Sequence, residues 1–210
     1  NYIENIRKVE KKLKKPIGIL IDLQGPKLRI GEIENNISLK RGQKLLLINN
    51  KKSSKPNEVP LPEEKVFKSV KVNHPIFIDD GKIKLKVLKV SKNIIETKVI
   101  LEGVLKSKKG INLPETVLKN SALTSADKKN VKKGMKLGVD WIALSFIQSP
   151  EDIKDLRKIC KKNVSIMAKI EKPTALNHIN KITELADGLM IARGDLGVEL
   201  PIQDVPSWQK

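Results

Sequence analysis

Two charged side chains of opposite sign, Lys169 and Glu171, lie two residues apart in the segment SIMAKIE. In an extended strand such residues share one face, so the two side chains are predicted to lie side by side. Asp195 follows the next apolar segment, and Asp22 ends an apolar segment near the start of the chain. Carboxylates on neighbouring strands suit Mg²⁺, which prefers oxygen ligands and keeps waters or substrate oxygens in its other positions. A lysine beside the ion could stabilise charge developing on a transferred phosphoryl group or an enolate.

Each of these features also has a plainer interpretation. Lys169 and Glu171 could form an ordinary surface ion pair, and Asp195 could simply cap the helix that begins near it. Gly194 could let a ligand's carboxylate or phosphate approach backbone N–H groups at a helix start, or it could serve only the turn. Taken together, at neighbouring strand ends, these residues favour a metal site.

Four short apolar segments are predicted to form the strands that carry these residues. They are residues 17–22, 141–146, 165–170 and 188–192. The last three are spaced like successive strand–helix units of a parallel sheet or a (β/α) barrel, and the first reads as a strand buried on both faces. Active sites of such barrels lie at the carboxyl ends of the strands. Ser145 and Phe146, at one of these ends, are therefore further candidates to border a substrate.

Helices are predicted beside these strands. Residues 1–15 have apolar side chains at helical spacing. A capping box at Thr124–Asp127 opens a helix that runs to about residue 137, and Ser149–Asp152 opens another that runs to about residue 160. His178 is interpreted as a structural or solvated residue in the middle of a helix, because no second metal ligand lies at a suitable spacing.

Between about residues 31 and 110 the pattern changes to short β segments, which predicts a small all-β domain. The β segments are residues 44–48, 75–78, 82–90 and 94–101. In the third segment side chains alternate with a period of nearly two, so that Lys89 is expected on the same face as Ile83, Leu85 and Val87. The polar residues 49–57 are predicted to form a solvated loop.

The net charge of +18, from 42 basic and 24 acidic residues, invites a nucleic-acid interpretation. Only five of the basic residues are arginines and 3% of all residues are aromatic, whereas nucleic-acid surfaces favour arginine and stacking aromatics. Nucleic-acid binding is therefore disfavoured as the main function. No apolar run approaches the roughly 18 residues of a membrane span. A single cysteine, Cys160, excludes an internal disulfide, which fits a reducing cytoplasm, and is expected to be buried or half-buried.

Five motifs in the same order and at comparable separations resemble the pyruvate kinase family. They are IDLQGPKLRIG (21–31), KKGINLP (108–114), LTSADK (123–128), IMAKIEKPTAL (166–176) and MIARGDLGVELP (190–201). The resemblance covers essentially the whole chain, and five co-ordered motifs make it specific.

The resemblance implies a partial (β/α)₈ TIM barrel, the A domain, interrupted after its third strand by a β-barrel lid, the B domain. Residues 1–30 and 111–210 would belong to the barrel and residues 31–110 to the lid. The implied reaction is phosphoryl transfer from phosphoenolpyruvate to ADP, giving pyruvate and ATP, with Mg²⁺ or Mn²⁺ as the divalent cofactor. The parent enzyme would be a cytoplasmic homotetramer that acts in glycolysis.

The resemblance also implies roles for single residues. Lys169 matches the lysine that stabilises the transition state and contacts the substrate, and Glu171 and Asp195 match the divalent-metal ligands. Gly194, with Asp195, matches the backbone stretch that holds the substrate carboxylate. Two further pairs are implied, one that contacts the nucleotide and one in the region of the monovalent cation. These pairs are Arg29 with Lys109, and Asp22 with Lys27.

Lys27 stands where many pyruvate kinases have glutamate, and family members with lysine there tend not to need K⁺. A lysine ammonium supplies the positive charge that a bound K⁺ would otherwise provide, and it would repel a second cation. The sequence therefore predicts that the parent enzyme does not require K⁺.

The chain is expected to be an internal fragment, because four barrel strands are half of eight and the family's C-terminal domain has no counterpart. The 210 residues alone are expected to be inactive and poorly soluble. Two other functions remain open. A Mg²⁺-dependent aldolase or lyase of the phosphoenolpyruvate/pyruvate barrel group would also hold an enolate at neighbouring strand ends, but such enzymes normally lack a β insertion of this size. A non-catalytic polycationic binder is the second alternative.

Overall fold

The computed structural model describes residues 2–118, 121–161 and 163–210. Within these residues the strands, numbered in chain order, are β1 (Leu20–Asp22), β2 (Glu32–Ile33), β3 (Ile37–Leu39), β4 (Lys44–Ile48), β5 (Lys52–Ser53), β6 (Glu58–Pro60), β7 (Pro75–Ile78), β8 (Ile83–Val90), β9 (Ile94–Leu101), β10 (Gly103–Leu105), β11 (Ile111–Asn112), β12 (Trp141–Leu144), β13 (Ser165–Ile170) and β14 (Gly188–Ile191). The helices are α1 (Tyr2–Leu13), α2 (Glu64–Ser69), α3 (Ser125–Lys136), α4 (Pro150–Cys160), α5 (Pro173–Leu176), α6 (Ile179–Leu185), α7 (Arg193–Glu199) and α8 (Val205–Gln209), with a 3₁₀ turn at Ile202–Asp204.

The chain is a mixed α/β protein that divides into two compact units. One unit, here called the parallel-sheet unit, comprises the described residues within 1–26, 120–196 and 206–210. The other, here called the β unit, comprises the described residues within 27–119 and 197–205. No helix of the described residues is both long and apolar enough to cross a lipid bilayer.

The parallel-sheet unit is built on a four-stranded sheet in the order β1-β12-β13-β14, with every pair of neighbours parallel. This confirms the strand–helix repeat predicted from the apolar segments. The strand interiors are fully buried, for example at Ile142, Ile166 and Ile170, which makes the sheet a rigid support for whatever follows each strand. Because the strands are parallel, all their carboxyl ends lie at one edge.

Both predicted capping boxes are confirmed. The Thr124 hydroxyl accepts a hydrogen bond from the Asp127 N–H at 3.1 Å, and the Asp127 carboxylate accepts one from the Thr124 N–H at 3.0 Å. The Asp152 carboxylate likewise accepts from the Ser149 N–H at 3.1 Å, with Pro150 at the first helical position. These caps satisfy N–H groups that have no partner inside the helix.

Two predictions about this unit are wrong. The first strand is limited to β1 and is not buried on both faces, since Leu20 is 40% exposed, because among the described strands β1 is at the edge of the sheet. His178 does not lie in the middle of a helix. It is an exposed residue with φ of −122° that separates α5 from α6, so the helical segment is broken there.

The β unit contains a six-stranded sheet in the order β11-β7-β8-β9-β4-β6, a β10-β3 pair and a β2-β5 pair. Its core is formed by apolar residues that are at most 9% exposed, many of which alternate along the strands. Examples are Leu45, Leu47, Ile76, Ile78, Leu85, Ile95 and Val99. The unit is not purely β, because α2 adds the buried side chains of Val66 and Phe67. The predicted loop at 49–57 also contains β5, which pairs with β2.

The alternation along β8 is interrupted at Lys89, where the prediction is wrong. The register between β8 and β9 shifts between Val87 and Lys89, which is the signature of a β-bulge. An extra residue in one strand reverses which side chains face the core beyond it. Lys89 is therefore exposed, whereas Ile83, Leu85 and Val87 are buried as predicted.

Candidate active site

The carboxyl edge of the parallel sheet brings four polar side chains together. Asp22 ends β1, Ser145 follows β12, and Lys169 and Glu171 lie at the end of β13. The register pairs Asp22 with Ala143, and Leu144 with Ala168, so these strand ends are level with one another. The sheet therefore positions residues from widely separated parts of the sequence at one edge.

Lys169 is the centre of this group. Its Nζ lies 3.1 Å from both carboxylate oxygens of Asp22, 3.0 Å from the Ser145 hydroxyl and 2.9 Å from Oε1 of Glu171. The Lys169 side chain is only 12% exposed. Burial lowers the pKa of Lys169, but its hydrogen bonds and charge attraction to Glu171 and Asp22 outweigh burial, so the pKa is raised overall. The side chain is thus held as an ammonium ion.

Glu171 is the most deeply buried member of the group, with a side chain 2% exposed. While Oε1 faces Lys169, Oε2 accepts a hydrogen bond from the backbone N–H of Phe146 at 2.8 Å. Burial raises the pKa of Glu171 and outweighs the opposing effects of Lys169 and the Phe146 N–H, and the negative charge of Asp195 raises it further. Lys169 and Glu171 are therefore not the exposed surface pair of the plainer interpretation.

Asp195 lies in the first turn of α7 and is half-buried. Its charge acts on Glu171, which places the two carboxylates in one electrostatic environment. Gly194 precedes it. A Cβ added at Gly194 would meet no atom of the described residues within 4 Å, its own helix turn aside, and would need no left-handed φ. The conformation of the chain therefore does not itself require glycine at 194.

Three further predicted site residues belong to the β unit: Lys27, Arg29 and Lys109. Arg29 forms a bridge with Gly110, and its guanidinium donates to the Lys108 carbonyl at 3.0 Å. Lys109 Nζ lies 3.0 Å from Asp79, and the hydrogen bond to Lys109 is the main reason that the pKa of Asp79 is lowered. Lys27 is exposed. Arg29 and Lys109 thus lie on paired backbone segments, which are also joined by the hydrogen bond from the Ile30 N–H to the Lys109 carbonyl.

Sequence reasoning singled out Ser145 and Phe146 only as candidates to border a substrate and did not connect them with Lys169 or Glu171. Ser145 is 3% exposed, and its hydroxyl lies 3.0 Å from Lys169 Nζ and donates to Asp22 at 3.3 Å. Its position at a strand end was a usable signal. No sequence signal indicated the hydrogen bond from the Phe146 N–H to Glu171, because that bond depends on backbone conformation.

The donor set fits a hard divalent cation. No group of three or more His, Cys, Asp or Glu side chains that could enclose a metal is found in the part of the chain that the structure describes. Mg²⁺ does not need such a cage, because it is usually held by one or two carboxylates together with waters and substrate oxygens. Glu171 is a buried acid whose negative form is opposed by burial and by Asp195, and a dication beside both would favour the charged form.

A lysine and carboxylates at the carboxyl edge of a parallel sheet form the type of site found in (β/α) barrel enzymes. The whole chain, residues 1–210, matches the family model described as the barrel domain of pyruvate kinase. The chain therefore belongs to the pyruvate kinase family.

Curated relatives named pyruvate kinase match nearly the whole chain. One from Methylorubrum extorquens is 44% identical over 209 residues, covering 99% of this chain and 44% of the relative. One from Agrobacterium vitis is 44% identical over 208 residues, with 98% and 44% covered. One from Staphylococcus epidermidis is 37% identical over 214 residues, with 99% and 37% covered. The chain thus spans less than half the length of these relatives.

Proposed function

We propose that the protein containing this chain is a glycolytic, cytoplasmic pyruvate kinase that transfers the phosphoryl group of phosphoenolpyruvate to ADP. The observation that carries the proposal is the placement of Lys169 between Asp22, Ser145 and Glu171 at the carboxyl edge of the parallel sheet. The family match over the whole chain supports the same reaction. We also propose that the enzyme is a homotetramer.

Lys169 is assigned the role of stabilising the phosphoryl group in transit. The raised pKa of Lys169 favours the charged ammonium form. The side chain is nearly buried, so its charge is little screened by water. The three protein partners aim the ammonium, and its N–H donors can turn to phosphoryl oxygens when a substrate is present. Phosphoryl transfer depends mainly on such positioning and on neutralising oxygen charge.

Glu171 and Asp195 are assigned as the residues that hold Mg²⁺ or Mn²⁺. When bound, the ion would supply positive charge to the oxygens of the substrate. Gly194 and Asp195 are assigned to the substrate carboxylate, since beyond its own helix turn no described residue lies within 4 Å of the position that a Gly194 Cβ would take. Arg29 and Lys109 are assigned to the nucleotide phosphates, because guanidinium and ammonium groups bind phosphate oxygens and the two residues lie on paired backbone segments.

The test of this function is Lys169→Met in the full-length protein, assayed with phosphoenolpyruvate, ADP and a lactate-dehydrogenase coupling system. We expect kcat to fall by about 10³-fold or more, which is the scale for loss of a cation that stabilises phosphoryl transfer. Lys181→Met is the matched control, because Lys181 is exposed on α6 and is not part of the site, and it should keep wild-type kcat. The proposal fails if Lys169→Met keeps more than about a tenth of wild-type kcat, a loss far smaller than that scale.

The same assay separates the alternative functions. Consumption of phosphoenolpyruvate without ADP would support the aldolase or lyase alternative. Retention on DNA that is lost in salt and shows no sequence preference, together with no turnover, would support the polycationic binder.

We also propose that the enzyme is independent of K⁺, because the Lys27 ammonium supplies the positive charge that a bound K⁺ would otherwise provide. The measurement is activity in K⁺-free tetramethylammonium buffer before and after KCl is added. Activity should change by less than about two-fold, because a second cation would be repelled by the lysine. A ten-fold rise on adding KCl would contradict the proposal.

A further inference from the structure

We infer that Phe146 is a positioning residue: its backbone, in a left-handed conformation with the ring against Gly25, orients the Glu171 carboxylate for metal binding. The inference rests on the proposed function, because it takes Glu171 to be a metal ligand. It adds Phe146 to the residues that make the site work, and it gives a reason for the glycine at position 25, which leaves room for the Phe146 ring.

The backbone of Phe146 has a φ of +57°. Left-handed conformations are uncommon for residues other than glycine, and in a bulky residue they are genuine outliers that cluster at functional sites. Phe146 comes directly after the buried Ser145 at the end of β12, so the outlier lies at the carboxyl edge that carries the candidate site. A conformation of this kind persists only where the surrounding structure holds it.

Gly25 leaves room for the Phe146 ring in this conformation. A Cβ at Gly25 would lie 2.8 Å from Cδ2 of the Phe146 ring and 3.3 Å from the Ser145 carbonyl oxygen. Gly25 itself has a φ of +64°, which a side chain would also disfavour. Glycine is therefore needed at position 25 for two separate reasons, and the one that concerns the site is the close approach of the Phe146 ring.

The consequence of this conformation is a hydrogen bond to Glu171. The Phe146 N–H donates to Oε2 at 2.8 Å, which leaves Oε1 directed at Lys169 at 2.9 Å. Because Glu171 is 2% exposed, water has little access to replace the donor. Because Ser145 and Ile147 on either side are buried, a change of φ at 146 would have to turn the peptide that carries this N–H, and the carboxylate would then lose the partner that fixes its rotation.

A structural role for the Phe146 ring makes a different prediction from a positioning role for its backbone. If ring packing is what matters, the effect of substitution grows with the amount of side chain removed, so that Gly is worse than Ala and Ala is worse than Val. If the left-handed backbone is what matters, the order is reversed, because glycine adopts positive φ freely and a β-branched residue resists it most.

The experiment is a titration of the full-length protein with Mn²⁺ alone, followed by electron paramagnetic resonance. The samples are the wild type and the variants Phe146→Gly, Phe146→Ala and Phe146→Val, and thermal unfolding of each sample is recorded in parallel. Ile147→Val is the matched control, because Ile147 is the adjacent buried residue and loses one methyl group without a change of backbone preference. We expect the Kd for Mn²⁺ to rise less than about three-fold for Gly and about ten-fold or more for Val, with Ala between them.

The thermal unfolding data separate this effect from loss of packing. Phe146→Gly should be less stable than the wild type, because it loses the ring, while its Mn²⁺ affinity stays nearly unchanged. The inference is overturned if Phe146→Gly binds Mn²⁺ more weakly than Phe146→Val, if folded Phe146→Val binds it as the wild type does, or if the wild type binds none.

The inference and the proposed function fail in different ways. A wild type that binds Mn²⁺, with the variants in the expected order, but makes no ATP from phosphoenolpyruvate overturns the proposed function and keeps the positioning role. If the wild type makes ATP from phosphoenolpyruvate but the variants follow the order expected for ring packing, the positioning role is overturned and the proposed function is kept.

Discussion

The two ends of the strands in the parallel-sheet unit use the same residue types in opposite ways. At the amino ends, Asp140 directly precedes β12 and Asp187 directly precedes β14. Each accepts one backbone N–H from the neighbouring strand's segment, from Ile19 at 2.7 Å and from Ile166 at 2.6 Å. Each also pairs with an arginine, at 2.7 Å to Arg7 Nη2 and 2.5 Å to Arg157 Nη2, respectively. We call these two arrangements the amino-end clasps.

The electrostatic outcome differs between the two ends. Burial raises the pKa of Asp140 and of Asp187, but the arginine and the backbone N–H lower each of them by more, so both pKa values are lowered. At the carboxyl end, burial dominates at Glu171 and its pKa is raised. A carboxylate whose charge is favoured stabilises the fold, whereas one whose charge is opposed is typical of a functional site.

The different roles of the two strand ends are tested most directly by Asp187→Asn. The substitution removes the charge from one clasp, and we expect the free energy of unfolding to fall by about 1 kcal/mol. This value is kept small because the Asp187 side chain is 42% exposed and the ion pair is screened by solvent. Chemical denaturation gives the loss of stability, and the coupled assay should give a kcat within about two-fold of the wild type, since the amino ends of barrel strands serve stability.

Asp155→Asn is the control for this prediction. Asp155 lies on α4, and among the described residues its ion pair is with Lys158 three residues away, at 2.8 Å, with both side chains well exposed. The same chemical change there should alter stability by less than about 0.5 kcal/mol. If Asp187→Asn removed activity while stability stayed constant, the division of labour between the strand ends would be wrong.

The sequence carried much of this architecture, for reasons that can be named. The spacing of the strand–helix units and the capping boxes are local sequence patterns, and in natural proteins such local preferences agree with the fold. The two-residue spacing of Lys169 and Glu171 predicted their proximity, which is a 2.9 Å contact.

What could not be predicted depends on contacts between distant residues. Arg7 meets Asp140 across 133 positions, and no spacing rule reaches so far. The left-handed Phe146 needs Gly25, more than a hundred positions earlier, to make room for its ring. The outward position of Lys89 depends on a bulge that arises from the pairing of β8 with β9, and not from the alternation within β8.

The dependence of stability on pH gives a smaller effect, which tests whether the charge of Asp187 stabilises the fold. A carboxyl group whose pKa is lowered in the folded state contributes stability above its unfolded pKa, about 3.9 for aspartate, and the contribution is lost as pH falls through the lowered folded value. Asp187 has such a lowered pKa, and asparagine cannot titrate. The difference in stability between the wild type and Asp187→Asn should therefore be constant from pH 7 to about pH 5 and shrink as pH falls below about 4. Thermal unfolding measured across this range checks it, and a difference that stayed constant down to pH 3 would show that the Asp187 charge is not what makes the clasp stabilising.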